Sequence, residues 1–238
     1  MKMKNVAAVA MAGCMAASLA ACGGSASSAA STETSTAAST EAATGEESTG
    51  VASGFTVQLG SNPETLDPAL NNAIDGANTL ITVFEPLLLI DENNEVIPGQ
   101  AESYTVSEDG LTWTFTMRDG LKWSDGSDLT AEDYVYTIQR VLTPATAAQY
   151  VSMATDYIKN AQEYYDGTAT ADDLGVKALD DKTLEITLIQ PTSYFIDILS
   201  MWTFSPVQKA TVEANGDKWS TEADTYICNG PFKIASMS

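Results

Sequence analysis

The residues able to do chemistry are few and do not group into a catalytic set. The 238-residue chain has no histidine. That removes the Ser-His-Asp triad, the Cys-His pair and nearly every zinc site. Its three cysteines are Cys14, Cys22 and Cys228. Cys228 stands alone, and a lone thiol of this kind reads as a buried core residue rather than an activated nucleophile. Carboxylates are abundant, with 32 Asp plus Glu, but nothing in their spacing selects two as a glycosidase pair. The run Asp119 to Asp128 comes nearest to a calcium loop, yet it lacks the Asp-x-Asn-x-Asp-Gly spacing and the closing Glu. Its aspartates read as turn formers. No phosphate-binding Gly-rich loop and no Gly-x-Ser-x-Gly elbow occurs. The expectation is a protein that is not an enzyme and needs neither cofactor nor metal.

The elements around these residues are easier to read. In Asp109 to Arg140, Leu111, Trp113, Phe115 and Met117 alternate with Thr112, Thr114, Thr116 and Arg118. This is a strand with one apolar face. Asp109-Gly110, Asp119-Gly120 and Asp125-Gly126 mark turns, since Gly takes positive φ without steric cost. Thr130 caps a helix with Glu132 and Asp133 at the positive end of its dipole. Tyr134, Val135, Ile138, Val141 and Leu142 form its apolar stripe. Trp113, Phe115 and Trp123 read as core.

Around this centre the strands come in hairpins. Leu87–Ile90 pairs with Glu95–Ile97, Ser103–Ser107 with Leu111–Arg118, and Val176–Leu179 with Thr183–Ile189, with Leu184, Ile186 and Leu188 buried. Helices are expected over Asp75–Phe84, in two pieces over Ala145–Asp166, after Pro191, and over Lys209–Asn215 up to Gly216. Phe232–Ile234 reads as the start of a further strand. Hairpins without strict βα alternation favour a mixed or antiparallel sheet over a doubly wound parallel one.

The ends carry a different message. Residues 1–22 have a basic start (Lys2, Lys4), a short Ala-rich apolar run and Leu19-Ala20-Ala21-Cys22, followed by Gly23. This is the pattern of a secretory signal ending in a bacterial lipobox, with Cys22 the acylated residue. Residues 23–53 are Ser, Thr, Ala, Gly and Glu, a composition that cannot offset its ordering entropy, and read as a tether. Residues 54–238 are the folding part, opened by a strand through Phe55, Val57 and Leu59. The net charge of −21 argues against nucleic acid and against electrostatic docking on anionic lipid, so membrane attachment would come from the lipid. No intrachain disulfide is expected.

Ten short pieces then occur in order. They are Leu66-Asp67-Pro68; Phe84-Glu85-Pro86-Leu87-Leu88; Thr112-Trp113-Thr114-Phe115 with Arg118; Lys122-Trp123-Ser124-Asp125-Gly126; Thr130-Ala131 with Asp133; Leu174-Gly175-Val176-Lys177-Ala178-Leu179-Asp180-Asp181; Pro191 with Tyr194-Phe195; Ser205-Pro206-Val207; Gly216-Asp217-Lys218-Trp219; and Asn229-Gly230-Pro231-Phe232. Together they resemble the extracytoplasmic solute-binding proteins of peptide ABC transporters, of the oligopeptide-binding type.

The resemblance implies an α/β fold, mixed α+β: lobe I of a type II periplasmic-binding-protein-like architecture. A β-hairpin and helix subdomain is inserted at about 85–207. It implies capture of oligopeptides between two lobes, with the peptide backbone held partly by strand addition. A permease and an ATPase would be the partners of a monomeric protein on the outer face of the cell membrane. The position that pairs with the peptide backbone maps onto Asn72, Ala73 and Ile74, and a peptide-facing Tyr maps onto Tyr150. An acidic residue stands at the Asn72 position in the best-known members, so Asn72 departs from the pattern. Members run to roughly twice this length and their second lobe follows the Gly-Pro-Phe strand. The chain therefore reads as a truncated N-terminal portion, with the second lobe missing and an apolar face exposed around Phe55, Val57 and Leu59. The Leu174–Asp181 piece favours oligopeptides over a related ligand such as a nickel chelate, haem or a sugar. An extracytoplasmic hydrolase and a surface adhesion or signalling lipoprotein are the alternatives from other classes.

Overall fold

A computed structural model describes residues 62–237. The expected signal peptide, the tether, the lipid-bearing Cys22 and the opening strand through Phe55, Val57 and Leu59 lie outside the described residues.

The sheet is built from the hairpins that alternation predicts. β1 (Leu88–Ile90) and β2 (Val96–Pro98) form a small antiparallel pair. β3 (Ala101–Val106), β4 (Thr112–Met117), β5 (Val176–Asp180) and β6 (Thr183–Thr187) form a larger sheet in the order β3-β4-β6-β5, every neighbour antiparallel. Trp113, Phe115 and Met117 of β4 are buried, as are Leu184 and Ile186 of β6. The register sets Phe115 opposite Leu184 and Trp113 opposite Ile186, so the apolar faces coincide. Full burial of one such side chain contributes about 1.5–3 kcal/mol.

One face of β5 and β6 is covered by α2 (Ala131–Val141). Tyr134, Val135, Ile138 and Val141 are buried on it, as its periodicity predicts. The helix starts at Thr130, whose backbone N–H donates to Asp133 Oδ2 at 2.9 Å. Burial pushes the Asp133 carboxyl above its ordinary 3.8, against the lowering effect of hydrogen bonds from Thr130 and Trp123. Folding therefore disfavours its ionised form. Its contribution to stability improves as pH falls through the raised value and is complete below 3.8. Asp133→Asn lacks this titration. Denaturant unfolding is expected to show the substitution as more destabilising near about pH 4 than near about pH 7.

The remaining helices are short. α1 (Ile74–Val83) precedes the sheet, and α3 (Ser152–Thr155) and α4 (Ala161–Tyr165) lie in the connection from α2 to β5. α5 (Phe195–Leu199) and α6 (Lys209–Asn215) follow β6. Ala145–Asp166 holds two helical pieces as expected, α3 and α4, after a 3-10 turn at Pro144–Thr146, with Ala147 (φ 53°) and Asn160 (φ 58°) in left-handed backbone between the pieces. One expectation needs correction. Phe232–Ile234 joins neither sheet. Its alternation describes facing, but pairing needs a neighbour in register, and the Phe232 carbonyl instead accepts the Cys228 thiol at 3.4 Å. The three Asp-Gly turns are as read, with φ of 74° at Gly110, 71° at Gly120 and 88° at Gly126. Cys228 is a free, buried thiol, raised by burial above the ordinary thiol value and so held in its unreactive form. Among the described residues no helix is long and apolar enough to cross a membrane.

Candidate functional site

The loop before α1 is fixed by a buried charge. Asp67 is 2 % exposed. Its carboxylate accepts both Arg140 nitrogens, Nη1 at 2.9 Å and Nη2 at 2.5 Å. It also accepts the Ala69 N–H at 3.0 Å and the Trp219 indole N–H at 3.2 Å. A buried carboxylate persists when its lone pairs are filled and its charge is matched, and here both hold. Trp219 stacks on Tyr226 with centroids 5.5 Å apart and rings 3° from parallel. The Tyr226 hydroxyl donates to the Leu66 carbonyl at 2.7 Å. Arg140 from α2 and two aromatics from the C-terminal loops thus hold the Leu66-Asp67-Pro68 segment from several sides.

That anchor sets the next residues. The Asp67 carbonyl accepts the Asn71 N–H at 2.9 Å. Asn71 is buried and its Nδ2 donates to the Ala73 carbonyl at 3.0 Å. A Cβ at Gly76 would lie 2.0 Å from Asn71 Oδ1, so only glycine fits where α1 begins. Beyond Asn71 the chain emerges: Asn72 is exposed, Ala73 is half-buried and Ile74 is 81 % exposed. No side chain caps α1 at Ala73, and within the first turn the Gly76 N–H donates to Asp75 Oδ1 at 2.8 Å.

Tyr150 reaches the same place from the other side. The Gln149 N–H donates to the Ala69 carbonyl at 3.0 Å. Asn72 Nδ2 donates to Gln149 Oε1 at 3.2 Å, across 77 residues of sequence. Tyr150 is half-buried and meets Trp202 edge-on, centroids 5.9 Å apart at 80°. The Trp202 indole N–H donates to the Asn71 carbonyl at 3.2 Å. All four residues expected from sequence, Asn72, Ala73, Ile74 and Tyr150, therefore fall on one surface. Gln149 and Trp202 complete it and were not legible in the sequence. Trp202 lies in a 3-10 turn with no periodicity to mark it. Gln149 gives no signal beyond its place next to Tyr150.

A second surface is an open cleft of about 530 Å³ lined by Trp123, Asp125, Asp128, Asp133, Gln208 and Glu213, among others. It shares no residue with the first. Gln208 Nε2 donates to Asp125 Oδ2 and to Ser127 Oγ, both at 2.9 Å, tying the turn to the start of α6. Among the described residues no group of three or more His, Cys, Asp or Glu side chains is placed to hold a metal.

Residues 95–238 match the family described as bacterial extracellular solute-binding proteins, family 5. The chain belongs to this family. Among curated relatives of this family 5 chain, the periplasmic oligopeptide-binding protein OppA of Salmonella typhimurium is 41% identical over 176 residues, which are 74% of this chain and 32% of the relative. Among solved structures, a periplasmic oligopeptide-binding protein of Borrelia burgdorferi is 42% identical with a TM-score of 0.72, covering 75% of this chain and 36% of that one. Haemophilus influenzae OppA in complex with RPPGFSPFR is 33% identical with a TM-score of 0.72, covering 76% and 35%. The chain spans about a third of the length of the curated relatives it matches. The fold is that of type II periplasmic binding proteins, as the resemblance implied, with mixed helix and antiparallel sheet.

Proposed function

We propose that this family 5 chain carries one side of a peptide-binding cleft and serves an ABC importer that takes up oligopeptides. The observation that supports this most is the convergence of Asn72–Ile74 and Tyr150 on one surface, held by the buried Asp67–Arg140 pair. The exposed backbone at the start of α1 suits main-chain pairing with an extended ligand. In this reading the chain performs no catalysis and needs no cofactor. A permease and an ATPase are its partners, and acylated Cys22 tethers it through residues 23–53 to the outer face of the membrane. The inserted subdomain at about 85–207 would carry Tyr150, while Asn72 belongs to the segment before it.

Titration calorimetry of the 238-residue chain tests the ligand class. Di- to pentapeptides are expected to give saturable heats, and Tyr150→Ala to weaken them by about tenfold, or roughly 1.4 kcal/mol. Saturable binding of haem, a nickel chelate or a sugar, with none of peptides, would overturn the reading. Peptide cleavage during incubation would move the chain to the hydrolase class.

A further inference from the structure

The surface around Tyr150 has a chemistry of its own. Trp113, Trp123 and Trp219 are buried to 4 %, 3 % and 1 % exposure, whereas Trp202 is half-buried. Its only donor is already used on the Asn71 carbonyl, so it offers a ligand ring surface rather than a hydrogen bond. Tyr150 stands edge-on against it. The Asn72 and Gln149 amides bond to each other. Ile74 projects at 81 % exposure from the helix that packs against the Trp202 turn. The charged groups beneath, Asp67 and Arg140, are paired with each other. Asp75, which follows Ile74 in the chain, accepts its neighbour Gly76's N–H at 2.8 Å.

Resting on the peptide-binding reading above, we infer that Trp202 and Tyr150 form an uncharged aromatic wall that selects a peptide side chain that is apolar or aromatic rather than basic. The net charge of −21 alone predicts the opposite, since a strongly acidic chain steers cationic ligands towards itself. Steering raises the encounter rate, but the bound side chain is judged by its immediate surroundings. A lysine laid against Trp202, Tyr150 and Ile74 loses hydration, and none of those three side chains carries a counter-charge. Attraction of a cation to a half-exposed ring is the smaller effect. A phenylalanine or leucine there removes apolar surface from water on both partners.

The test is equilibrium binding of the 238-residue chain to pentapeptides that differ only at one central residue: Phe, Leu, Lys or Glu. The Phe and Leu peptides are expected to bind about tenfold more tightly than the Lys and Glu peptides. Trp202→Ala should shrink that gap to about twofold, chiefly by weakening the Phe and Leu peptides. Trp202→Phe keeps a ring and should keep the preference. It also shows that any loss in the alanine variant is not a general folding defect. A Lys peptide that binds most tightly would overturn the inference, as would an unchanged Phe preference in Trp202→Ala. Measurable but equal binding across the series overturns the inference and leaves peptide binding standing. No binding by any peptide overturns both.

Discussion

Asp67→Ala is expected to cost the fold about 3–5 kcal/mol, because it leaves the Arg140 guanidinium buried without its counter-charge. The two side chains are only 3 % and 15 % exposed, so water cannot replace what is lost. The substitution also strips the acceptor from the Trp219 indole and from the Ala69 N–H. The expected readout is a large fall in the denaturant midpoint. The pair itself is a weaker source of net stability than its rupture suggests, because desolvation offsets much of its attraction. The double variant Asp67→Ala with Arg140→Met should therefore lose clearly less than the sum of the single variants. A single-variant loss below about 1 kcal/mol would mean that the pair behaves like an exposed one. The same substitution releases the Asn71 segment, so ligand affinity should fall along with stability.

Trp219→Ala is expected to be comparably severe, at about 3–5 kcal/mol for a large aromatic removed from a packed interior. Trp219 is 1 % exposed, stacked on Tyr226 and beneath Arg140, whose guanidinium carbon lies 6.0 Å from its ring centroid. Trp219→Phe separates the two parts of this role. It keeps a ring against Tyr226 but removes the N–H that reaches Asp67, and should cost about 1–3 kcal/mol. The variants should not be additive with Asp67→Ala, since both remove the same hydrogen bond. Equal losses for Phe and Ala at this position would place the whole effect in the hydrogen bond and none in packing.

Much of the fold was legible because local chemistry decides it. Alternation in Thr112–Met117 gave both the strand and its buried face, and the Asp-Gly pairs gave the turns. Gly216 ends α6 where expected. What local pattern cannot give is who pairs with whom. β4 lies beside β6 rather than β5, a choice made by facing apolar side chains far apart in sequence. Ala147 and Asn160 adopt positive φ without the glycine that would announce it, so the sequence shows two helical pieces but not where they break. The site divides in the same way. Asn72, Ala73, Ile74 and Tyr150 were reached through family resemblance, whereas Gln149 and Trp202 emerged only from contacts. Asp67 entered only as part of the Leu66-Asp67-Pro68 piece of the resemblance. Its role as a buried anchor depends on Arg140 and Trp219, which are 73 and 152 residues away.

In the proposed function a peptide lies against Asn72–Ile74, Tyr150 and Trp202. Amide-resolved NMR of the isotopically labelled chain, titrated with a pentapeptide, tests it most directly. Shifts that concentrate on Asn71–Asp75, Gln149–Val151 and the Trp202 turn, and saturate together, are the predicted result. Saturating shifts centred instead on the acidic cleft around Asp125, Asp133 and Gln208, with Asn72–Ile74 unmoved, would contradict it.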